Sequence, residues 1–578
     1  MVETIKSGIA MVKVLEDWGV DHIYGIPGGS FNSTMDALFA QRDKIKFIQV
    51  RHEEVGAIAA SADAKVTGKI GVAFGSAGPG ATHLFNGLYD AKMDHVPVLA
   101  LVGQVATNTM NTDYFQEMNE NPMFADVSVY NRTVMTAEQL PKVIDQAIRR
   151  AYQAKGVAVV TIPVDLGWQD IPDTFESTAA DYRISYPQPA DHDVDETLRL
   201  IKAAKHPILY IGLGATGASE EVQKFAEMYK LPIASSALAK GIVPDSNPAY
   251  LASAGRVATK PAVEALGDAD LILFMGSDYP FGDYFFKPDA TFIQVDINSA
   301  EFGKRHHVDL PILADVKATL EKLIERGEEQ PMTKWYQANL ANNKNWHDWI
   351  NKMAQSTKTP LRVEPVYKEI NRIAKKDAAF MIDVGNVTID SLRLLDMNPK
   401  QIFKTSGWFA TMGFGLPAGL AAQLSYPNRQ VFTISGDGGM AMVAQDLITM
   451  AKYHLPIINV VLSNDSFGFI KAEQDDTHQS HYGVDIAPVD FAKVAEGFGV
   501  KGFKVTNHDE LVAAFDYAKT ATEPVLIDVK IADERPLPVE QLRIDPEKFS
   551  TEEIAEFNQI YDSSDLIPFS QILKQYQA

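Results

Sequence analysis

The chain has 578 residues, of which 46% are hydrophobic and 22% charged, and its formal net charge is −22 at pH 7. A single hydrophobic core stops growing at about 250–300 residues, and domains usually have about 100–200 residues. This length therefore predicts three domains. The negative charge argues against a nucleic-acid partner, because phosphate backbones attract basic surfaces. The sequence contains no cysteine, which excludes disulfides, thiolate metal sites and cysteine nucleophiles.

The N-terminal stretch MVETIKSGIAMVKVLEDWGV carries charges among its apolar residues. This pattern is typical of an amphipathic helix and not of a signal peptide. No segment approaches the roughly 18 consecutive apolar residues that span a bilayer. We therefore predict a cytoplasmic protein without membrane attachment.

From residue 1 to about residue 180, short apolar strands alternate with segments of helical periodicity. The predicted strands are apolar, rich in β-branched or aromatic residues and bounded by glycine or proline; they are HIYGIP, KIKFIQV, IGVAFG, VPVLALVG and VAVVTIPV. This alternation predicts a parallel, doubly wound sheet. The fold class is therefore α/β, and the first predicted domain covers residues 1–182.

Two further α/β blocks follow the stretch ISYPQPADHDVD (184–195), which is interpreted as a linker. The second domain is predicted at 190–335, with strands HPILYIGLG, LPIASS, LILFMGS and TFIQVDIN. A polar helical connector leads to the third domain at 360–550, with strands AFMIDVG, QVFTISGDGG, IINVVLSN and PVLIDVKI. Residues 551–578 form a C-terminal tail, which we interpret as an active-site cover.

Polar residues end two neighbouring predicted strands of the third block. One strand ends in Gly436-Asp437-Gly438-Gly439, and the next ends in Asn464-Asp465-Ser466-Phe467-Gly468. A right-handed β-α-β crossover brings the carboxyl ends of both strands to one rim of the sheet, where ligands bind in open α/β sheets. Asp437 and Asn464 then offer oxygen ligands suited to Mg2+. The glycines let backbone N–H groups approach a phosphate.

A GDG triplet alone more often marks a glycine turn without a ligand. Here 25 residues separate Gly438 from Asn464, and this spacing resembles the GDG…N signature of the thiamine-diphosphate-dependent enzyme family. The resemblance implies a thiamine diphosphate cofactor. It also implies that Mg2+ is bound by Asp437, Asn464 and the main-chain oxygen of Ser466, with Gly436, Gly438, Gly439 and Gly468 lying against the coenzyme.

The same resemblance requires a glutamate that contacts the aminopyrimidine ring of the coenzyme. Arg51-His52-Glu53 leaves a predicted strand and enters a helix, and it matches the family motif RHE at Glu53, not at Glu54. A carboxyl group hydrogen-bonded to pyrimidine N1′ favours the imino tautomer, whose nitrogen removes the C2 proton; general acid–base steps contribute about 10²–10⁴-fold. Taken alone, Glu53 would be an acidic residue in the first turn of a helix.

Two glycine-rich turns and one methionine also match the family. The turns are Gly25-Ile26-Pro27-Gly28-Gly29 and Gly75-Ser76-Ala77-Gly78-Pro79-Gly80. Without the resemblance, they are ordinary turns and the methionine is a core residue. The resemblance implies that Gly28, Gly29 and Pro79 lie beside the cofactors and that Met412 forces thiamine into its V shape.

The middle block contains Gly212-Leu213-Gly214-Ala215-Thr216-Gly217 between a predicted strand and a helix. This matches the dinucleotide-binding pattern G-x-G-x-x-G. No acidic residue follows about 20 positions later to bind the ribose of a nicotinamide cofactor, which argues against such a site. On this pattern alone, a nucleotide site and a turn without a ligand are equally open. The neighbouring stretches resemble the FAD-binding central domain of pyruvate oxidases, which implies FAD contacts by Gly212, Gly214, Arg256, Asp296 and Asp315.

Within the family, two stretches favour the bacterial phosphate-dependent pyruvate oxidases: TDYFQEMNENPMF and FGFIKAEQDDT. The resemblance implies that a C2 carbanion of thiamine diphosphate decarboxylates pyruvate and FAD accepts two electrons. Phosphate and O2 then give acetyl phosphate and H2O2. The catalytic residues implied are Phe115 and Phe469 between the thiamine and flavin rings, Gln116 and Glu473 at the substrate, Val384 beside the thiazolium, and Ile470.

Three alternatives remain open. An acetohydroxyacid synthase shares the FQE motif and binds FAD without redox use, but GFIKAEQ lacks the tryptophan expected there. A quinone-linked pyruvate dehydrogenase needs a lipid-binding C-terminal helix. The C-terminal segment SSDLIPFSQILKQYQA has a single lysine, which gives little attraction to a membrane surface. A catalytically silent cofactor-binding homologue would not need Glu53. The family builds its active site between subunits, so the resemblance also implies a homo-oligomer, a tetramer with active sites at a dimer interface.

Overall fold

The computed structural model describes residues 3–577 and contains three six-stranded sheets. All strand pairs within these three sheets are parallel. Parallel neighbours need long crossover connections, usually helices, which explains the strand–helix alternation of the sequence. The prediction of an α/β fold with three parallel-sheet domains is confirmed.

The first sheet has four buried inner strands and two partly exposed edge strands. The strands of this part of the chain are β1 (Thr4–Lys6), β2 (His22–Gly25), β3 (Lys46–Gln49), β4 (Gly71–Gly75), β5 (Val98–Gln104), β6 (Ser128–Thr133), β7 (Val157–Pro163) and β8 (Asp170–Pro172). The helices are α1 (Ser7–Asp17), α2 (Asn32–Ala40), α3 (Glu53–Thr67), α4 (Pro79–His83), α5 (Phe85–Met93), α6 (Glu120–Met123) and α7 (Leu140–Ala154). The sheet order is β3-β2-β4-β5-β7-β6, and β1 pairs antiparallel with β8.

The predicted N-terminal helix corresponds to α1, which begins only at Ser7. Residues 4–6 of the predicted stretch form β1 instead, and residues 1 and 2 lie outside the described residues. The predicted linker at 184–195 also differs in part, because helix α8 (Asp191–Ala203) begins within it. Acidic residues near a helix N-terminus are favourable for the helix dipole, and two of them stand in the first turn of α8.

The central sheet has the order β11-β10-β9-β12-β13-β14. Its strands are β9 (Pro207–Ile211), β10 (Ile233–Ser235), β11 (Tyr250–Ser253), β12 (Leu271–Met275), β13 (Thr291–Asp296) and β14 (Leu310–Leu313). Its helices are α8 (Asp191–Ala203), α9 (Ser219–Tyr229), α10 (Lys260–Asp268), α11 (Gly282–Phe285) and α12 (Val316–Arg326). The polar connector predicted after residue 335 is the long helix α13 (Lys334–Met353).

The third sheet has the order β16-β15-β17-β18-β20-β19. Its strands are β15 (Ala379–Ile382), β16 (Ile402–Lys404), β17 (Val431–Gly436), β18 (Ile458–Ser463), β19 (Lys501–Val505) and β20 (Val525–Lys530). Its helices are α14 (Val363–Ile373), α15 (Asn386–Leu394), α16 (Gly415–Ser425), α17 (Asp437–Val443), α18 (Leu447–Lys452), α19 (Gly468–Asp476), α20 (Phe491–Gly497) and α21 (His508–Ala518). The tail contains α22 (Thr551–Tyr561) and α23 (Phe569–Gln577).

One hydrophobic core is shared between the first and third sheets. Helix α3 of the first part packs against α16 of the third, and both helices are rich in alanine and glycine. Small side chains allow two helix backbones to approach closely, and the shared core holds the two sheets in one body. None of the helices within residues 3–577 combines the length and the hydrophobicity of a membrane-spanning segment.

Candidate active site

A cavity of about 2190 Å3 opens between the central and third sheets, and residues at the ends of α3 and α7 of the first domain also line it. Ordinary ligand pockets enclose about 300–1,000 Å3, so this cavity has room for more than one large ligand. Its wall includes residues at the carboxyl ends of strands from both sheets, among them Gly214 and Asp296 from the central sheet and Gly436 and Asn464 from the third. This is the rim at which open α/β sheets bind ligands.

Asp437 joins the ends of two neighbouring strands at this rim. It follows β17 directly and is 5% exposed. One carboxylate oxygen accepts a hydrogen bond from the N–H of Gly438 at 2.9 Å, and the other accepts from the N–H of Asp465 at 2.7 Å. Asp465 has a left-handed backbone with φ of 57°, a conformation that aspartate adopts more readily than most residues. Asp465 lies between Asn464 and Ser466, two of the predicted Mg2+ ligands.

The side chains at this rim fit a hard divalent cation. The amide nitrogen of Asn464 donates to Asp533 at 2.9 Å, so the amide oxygen is left for a ligand. Within residues 3–577, the buried hydroxyl oxygen of Ser466 has no hydrogen-bond partner. Burial raises the pKa of the Asp437 carboxyl, and a bound cation would favour its ionised form. Carboxylate and carbonyl oxygens are the ligands that Mg2+ takes.

The glycines of the two strand ends let side chains approach the backbone of this rim closely. A Cβ atom at Gly438 would lie 2.6 Å from the ring of Phe467 and 3.2 Å from the terminal carbon of Met412. A Cβ atom at Gly468 would lie 2.6 Å from the side-chain nitrogen of Asn386. Gly438 and Gly468 therefore allow these side chains to pack directly against the backbone of the rim, whereas a Cβ at Gly436 would meet no atom within 4 Å. Gly436 and Gly439 also line the cavity.

Asp383 is a residue of this site that the sequence analysis did not single out. Its buried carboxylate accepts hydrogen bonds at 2.8 Å from the N–H groups of Val384 and Gly413. It thereby holds the loop of Val384 against the loop of Met412, and both of these residues line the cavity. In the sequence, Asp383 could have been noticed as an aspartate directly after the apolar strand AFMI, but it belongs to no recognised motif.

The residues expected to contact FAD lie on the central-sheet side of the cavity. Gly214, Arg256, Asp296 and Asp315 line its wall. Burial raises the pKa of Asp296 to about 6, and Asp315 is the N-cap of α12, accepting from the N–H of Ala318 at 3.0 Å. Gly212 has a packing role, because a Cβ there would lie 2.4 Å from that of Ser277. The structure thus brings four of these five residues to one wall.

Helix α19 carries three of the expected catalytic residues. Phe469 and Ile470 line the cavity. Glu473 forms an ion pair with Arg256, with 2.8 Å between Oε1 and Nη1, and the Arg256 guanidinium lies 5.2 Å from the centre of the Phe469 ring. The sequence analysis assigned Arg256 and Glu473 to two different ligands and did not foresee their contact. The two residues are 217 positions apart, so no sequence pattern links them.

Glu53 belongs to a second group of predicted residues, on the first sheet. It is the first residue of α3 and is 8% exposed. Its Oε2 lies 2.9 Å from Nδ1 of His83, and the rings of His83 and His52 stack at 4.3 Å. A Cβ at Gly80 would approach the other oxygen of Glu53 to 3.2 Å. The turn that carries Pro79 therefore lies directly against this carboxylate.

Gln116 and Phe115 lie beside the same turn. A Cβ at Gly78 would lie 3.2 Å from the carbonyl oxygen of Gln116, and Gln116 has a left-handed φ of 64°. Phe115 is 78% exposed, and the adjoining Tyr114 is 54% exposed. Gly28 packs against Ser76, since a Cβ there would lie 2.4 Å from that of Ser76, whereas Gly29 has open space.

The two groups of predicted residues are separate within one chain. In the part of the chain that the structure describes, the wall of the large cavity includes none of the first-sheet group, whose members are Gly28, Gly29, Glu53, Pro79, Phe115 and Gln116. The first-sheet group instead forms its own cluster around the Glu53 carboxylate.

Each of the three sheets lies in a region that matches a domain of known proteins. Residues 5–123 match the model of the N-terminal TPP binding domain of thiamine pyrophosphate enzymes, 194–323 match the central domain, and 383–529 match the C-terminal TPP binding domain. The chain belongs to the thiamine pyrophosphate enzyme family.

Several relatives of this thiamine pyrophosphate enzyme cover nearly its whole length. It is 51% identical to a pyruvate oxidase of Lactiplantibacillus plantarum over 99% of this chain and 96% of that protein. A thiamine pyrophosphate-containing protein of Bacillus subtilis is 43% identical over 92% of each chain. An acetolactate synthase of Mycobacterium bovis is 31% identical over 91% of this chain and 88% of its own length.

Proposed function

We propose that this thiamine pyrophosphate enzyme is a pyruvate oxidase. It would convert pyruvate, phosphate, O2 and a proton into acetyl phosphate, CO2 and H2O2. The observation that carries the proposal is the continuous cavity that runs from the Asp437–Asn464 rim to the ends of the central-sheet strands. Such a cavity allows a thiamine coenzyme and a dinucleotide to meet. The higher identity to the pyruvate oxidase relative than to the acetolactate synthases supports the same choice.

The cofactors we propose are thiamine diphosphate, Mg2+ and FAD. When bound, thiamine diphosphate supplies a carbanion nucleophile and an electron sink, and FAD supplies a two-electron acceptor. Asp437, Asn464 and the main-chain oxygen of Ser466 would hold Mg2+, with the glycines of the rim against the diphosphate. Gly214, Asp296 and Asp315 would hold FAD on the opposite wall.

The protein's own residues would orient the reacting groups and move one proton. Glu53 would donate a hydrogen bond to the aminopyrimidine, in the role of a positioned carboxyl group. Met412 and Val384, held together by Asp383, would press on the thiamine and fix its bend. Phe469 and Ile470 would exclude water from the cavity, which strengthens every polar interaction inside it. Gln116 and Glu473 would contact pyruvate.

We infer that the active enzyme is a homo-oligomer, a tetramer with each active site between two chains. Glu53 and the large cavity have to meet at one coenzyme, yet Glu53 is absent from the cavity wall formed by residues 3–577. A second copy of the chain that offers its Glu53 cluster to this cavity would complete the site. The adjoining rings of Tyr114 and Phe115 are both exposed in the single chain, and such a patch supports an interface. A cytoplasmic location remains the prediction made from the sequence.

The proposal is tested on the purified protein by pyruvate-dependent O2 uptake, with phosphate, Mg2+, thiamine diphosphate and FAD omitted in turn. We expect a yellow protein whose O2 uptake requires each addition and which forms acetyl phosphate and H2O2. Oxygen uptake that ignores phosphate would make water the acyl acceptor. Acetolactate formation without O2 uptake would assign a synthase, and electron transfer only to a quinone would assign a dehydrogenase.

A further inference from the structure

The cavity wall carries eight arginine and lysine side chains among the described residues, and seven of them are already engaged. These seven contact a carboxylate, a main-chain carbonyl or an aromatic ring; they are Lys65, Lys155, Arg183, Arg256, Arg362, Arg393 and Arg535. The eighth is Lys404. Within residues 3–577, no hydrogen bond, ion pair or ring contact involves its ammonium group.

Lys404 is in an unfavourable position for an unpaired cation. It is the last residue of the edge strand β16 and is half-buried. Its cationic neighbour Lys65 is satisfied by Asp90 and Asp94, each at 2.7 Å. Burial and the repulsion from Lys65 lower the pKa of Lys404 to about 8, because they outweigh the attraction of the Asp94 carboxylate, which already pairs with Lys65. Buried charges are normally paired, because losing water without gaining a partner is costly. An anion in the cavity would compensate this charge.

The register of the third sheet separates Lys404 from the predicted diphosphate and metal site. Lys404 is paired with Met381 of β15, which in turn is level with Thr433 of β17. Neighbouring strands lie about 4.8 Å apart and residues rise about 3.3 Å along a strand. Lys404 therefore lies two strands to the side of Asp437 and four residues back from it, beyond the reach of a lysine side chain. A phosphate bound to Lys404 is not that of thiamine diphosphate.

The residues that follow Lys404 contact the central domain. The indole N–H of Trp408 donates to Asp278 at 3.2 Å, and a Cβ at Gly407 would lie 2.5 Å from the side chain of Leu238. Asp278 and Leu238 line the cavity next to the loops of the central sheet. Lys404 therefore lies at the contact between the third domain and the central-sheet side of the cavity, where we propose that FAD binds.

We propose that Lys404 is an anion-binding residue of the cavity and that its ligand is a phosphate group. The inference rests on the proposed function, which supplies two sources of this chemistry: inorganic phosphate as a substrate and the pyrophosphate of FAD. An ammonium group is a compact point charge suited to phosphate. In either case Lys404 contributes affinity for an anion that has to leave water to enter the cavity.

The test is ligand binding to the cofactor-free protein and its Lys404→Met, Lys404→Arg and Lys224→Met variants. Lys224 is an exposed lysine of α9 that does not line the cavity, so its loss controls for the change in net charge. Inorganic phosphate is titrated by calorimetry and FAD by flavin fluorescence. Removing a charge-assisted hydrogen bond weakens binding by about tenfold or more. We expect this loss in Lys404→Met, a smaller one in Lys404→Arg and none in Lys224→Met.

A loss confined to phosphate would assign the substrate, and a loss confined to FAD would assign the pyrophosphate. Parent-like affinity of Lys404→Met for both ligands would overturn the proposal. A second measurement needs no variant: phosphate or FAD should slow reductive methylation of Lys404 in the parent protein but not that of Lys224. Equal methylation of Lys404 with and without both ligands would also overturn it. Both measurements are independent of turnover, so pyruvate-dependent O2 uptake can persist while the Lys404 assignment fails.

Discussion

Glu53 lies where a helix begins, and its surroundings restrict what its carboxyl group can meet. It is buried from solvent, and its partner within the chain is the imidazole of His83 at 2.9 Å. The adjacent Glu54 differs, because its side chain accepts a hydrogen bond from Asn86. Two neighbouring carboxylates thus have different partners, and only Glu53 lies against the turn of Gly80.

We therefore expect Glu53→Gln to lower kcat by about 10²-fold or more, in the range of a lost acid–base group. Binding of Mg2+ and thiamine diphosphate should persist, because the proposed metal ligands lie on the third domain. The measurements are O2 uptake and calorimetric coenzyme binding. Glu54→Gln is the matched control and should keep its activity within a few-fold. Full activity of Glu53→Gln would refute the role of this residue.

At the scale of elements, α19 and α16 are held by different forces. Helix α16 has nine of its eleven residues buried, whereas α19 has none. Helix α19 is attached to other segments by ion pairs that include Arg256–Glu473, Lys471–Asp533 and Arg535–Asp476, and Asp475 also contacts His481. Exposed ion pairs contribute about 0–1 kcal/mol each. Apart from the half-buried, bidentate Arg535–Asp476 pair, α19 is therefore held by weak contacts and opens at a small free-energy cost.

Hydrogen exchange of the cofactor-free protein checks this contrast. The amides of α19 should exchange well before those of α16. Arg256→Met should speed exchange in α19 by up to about fivefold, the value of one ion pair, and leave α16 unchanged. Lys501 is an exposed lysine of β19, so Lys501→Met serves as the control for a lost cation. Equal protection of α16 and α19 would contradict the argument.

At the scale of the whole molecule, a charged histidine lies at the junction of the first and third domains. His22 is 5% exposed and lies between Asp21 and Asp63, with nitrogen–oxygen distances of 2.5 Å and 3.0 Å. Ser425 of α16 donates to Asp63 at 2.7 Å. Burial lowers the pKa of His22, but the hydrogen bonds and charges of the two aspartates prevail and raise it from 6.5 to about 9.

Because its pKa is raised, protonated His22 contributes to the free energy of unfolding at low pH. This contribution is fully present below pH 6.5 and is lost as the pH rises through about 9. The shift corresponds to about 3 kcal/mol. The difference in free energy of unfolding between the parent and His22→Asn should be largest near pH 6 and shrink towards pH 10, with the exposed His192→Asn as a flat control. A difference independent of pH would contradict the assignment.

Assembly is tested by mixing two inactive variants. Glu53→Gln lacks the proposed acid–base group and Asp437→Ala lacks a proposed metal ligand. If each site takes Glu53 from one chain and Asp437 from another, a mixed dimer has one intact site of two. Random reassociation of equal amounts should then restore about a quarter of the parent O2 uptake in a two-fold symmetric interface. Failure to restore any activity, with mixed oligomers shown by mass spectrometry, would place both residues in one chain.

The sequence by itself determined the interior of the three sheets and the spacing of the metal motif. Strands such as β5, β9 and β18 are buried on both faces, so they consist of continuous apolar runs that stand out from the chain. Five strands of the six-stranded sheets were not identified from the sequence; they are β6, β11, β14, β16 and β19, and all lie at sheet edges. An edge strand has one neighbour and partial burial, so its composition is less distinctive.

Only the tertiary structure decided which distant side chains meet. The Arg256–Glu473 pair and the contacts of Asp383 join segments far apart in sequence, and the unpaired state of Lys404 depends on which carboxylates its neighbours already bind. The separation of Glu53 from the large cavity is likewise a property of how the sheets pack. Local patterns report burial and backbone preference, whereas these pairings depend on the positions of whole domains in space.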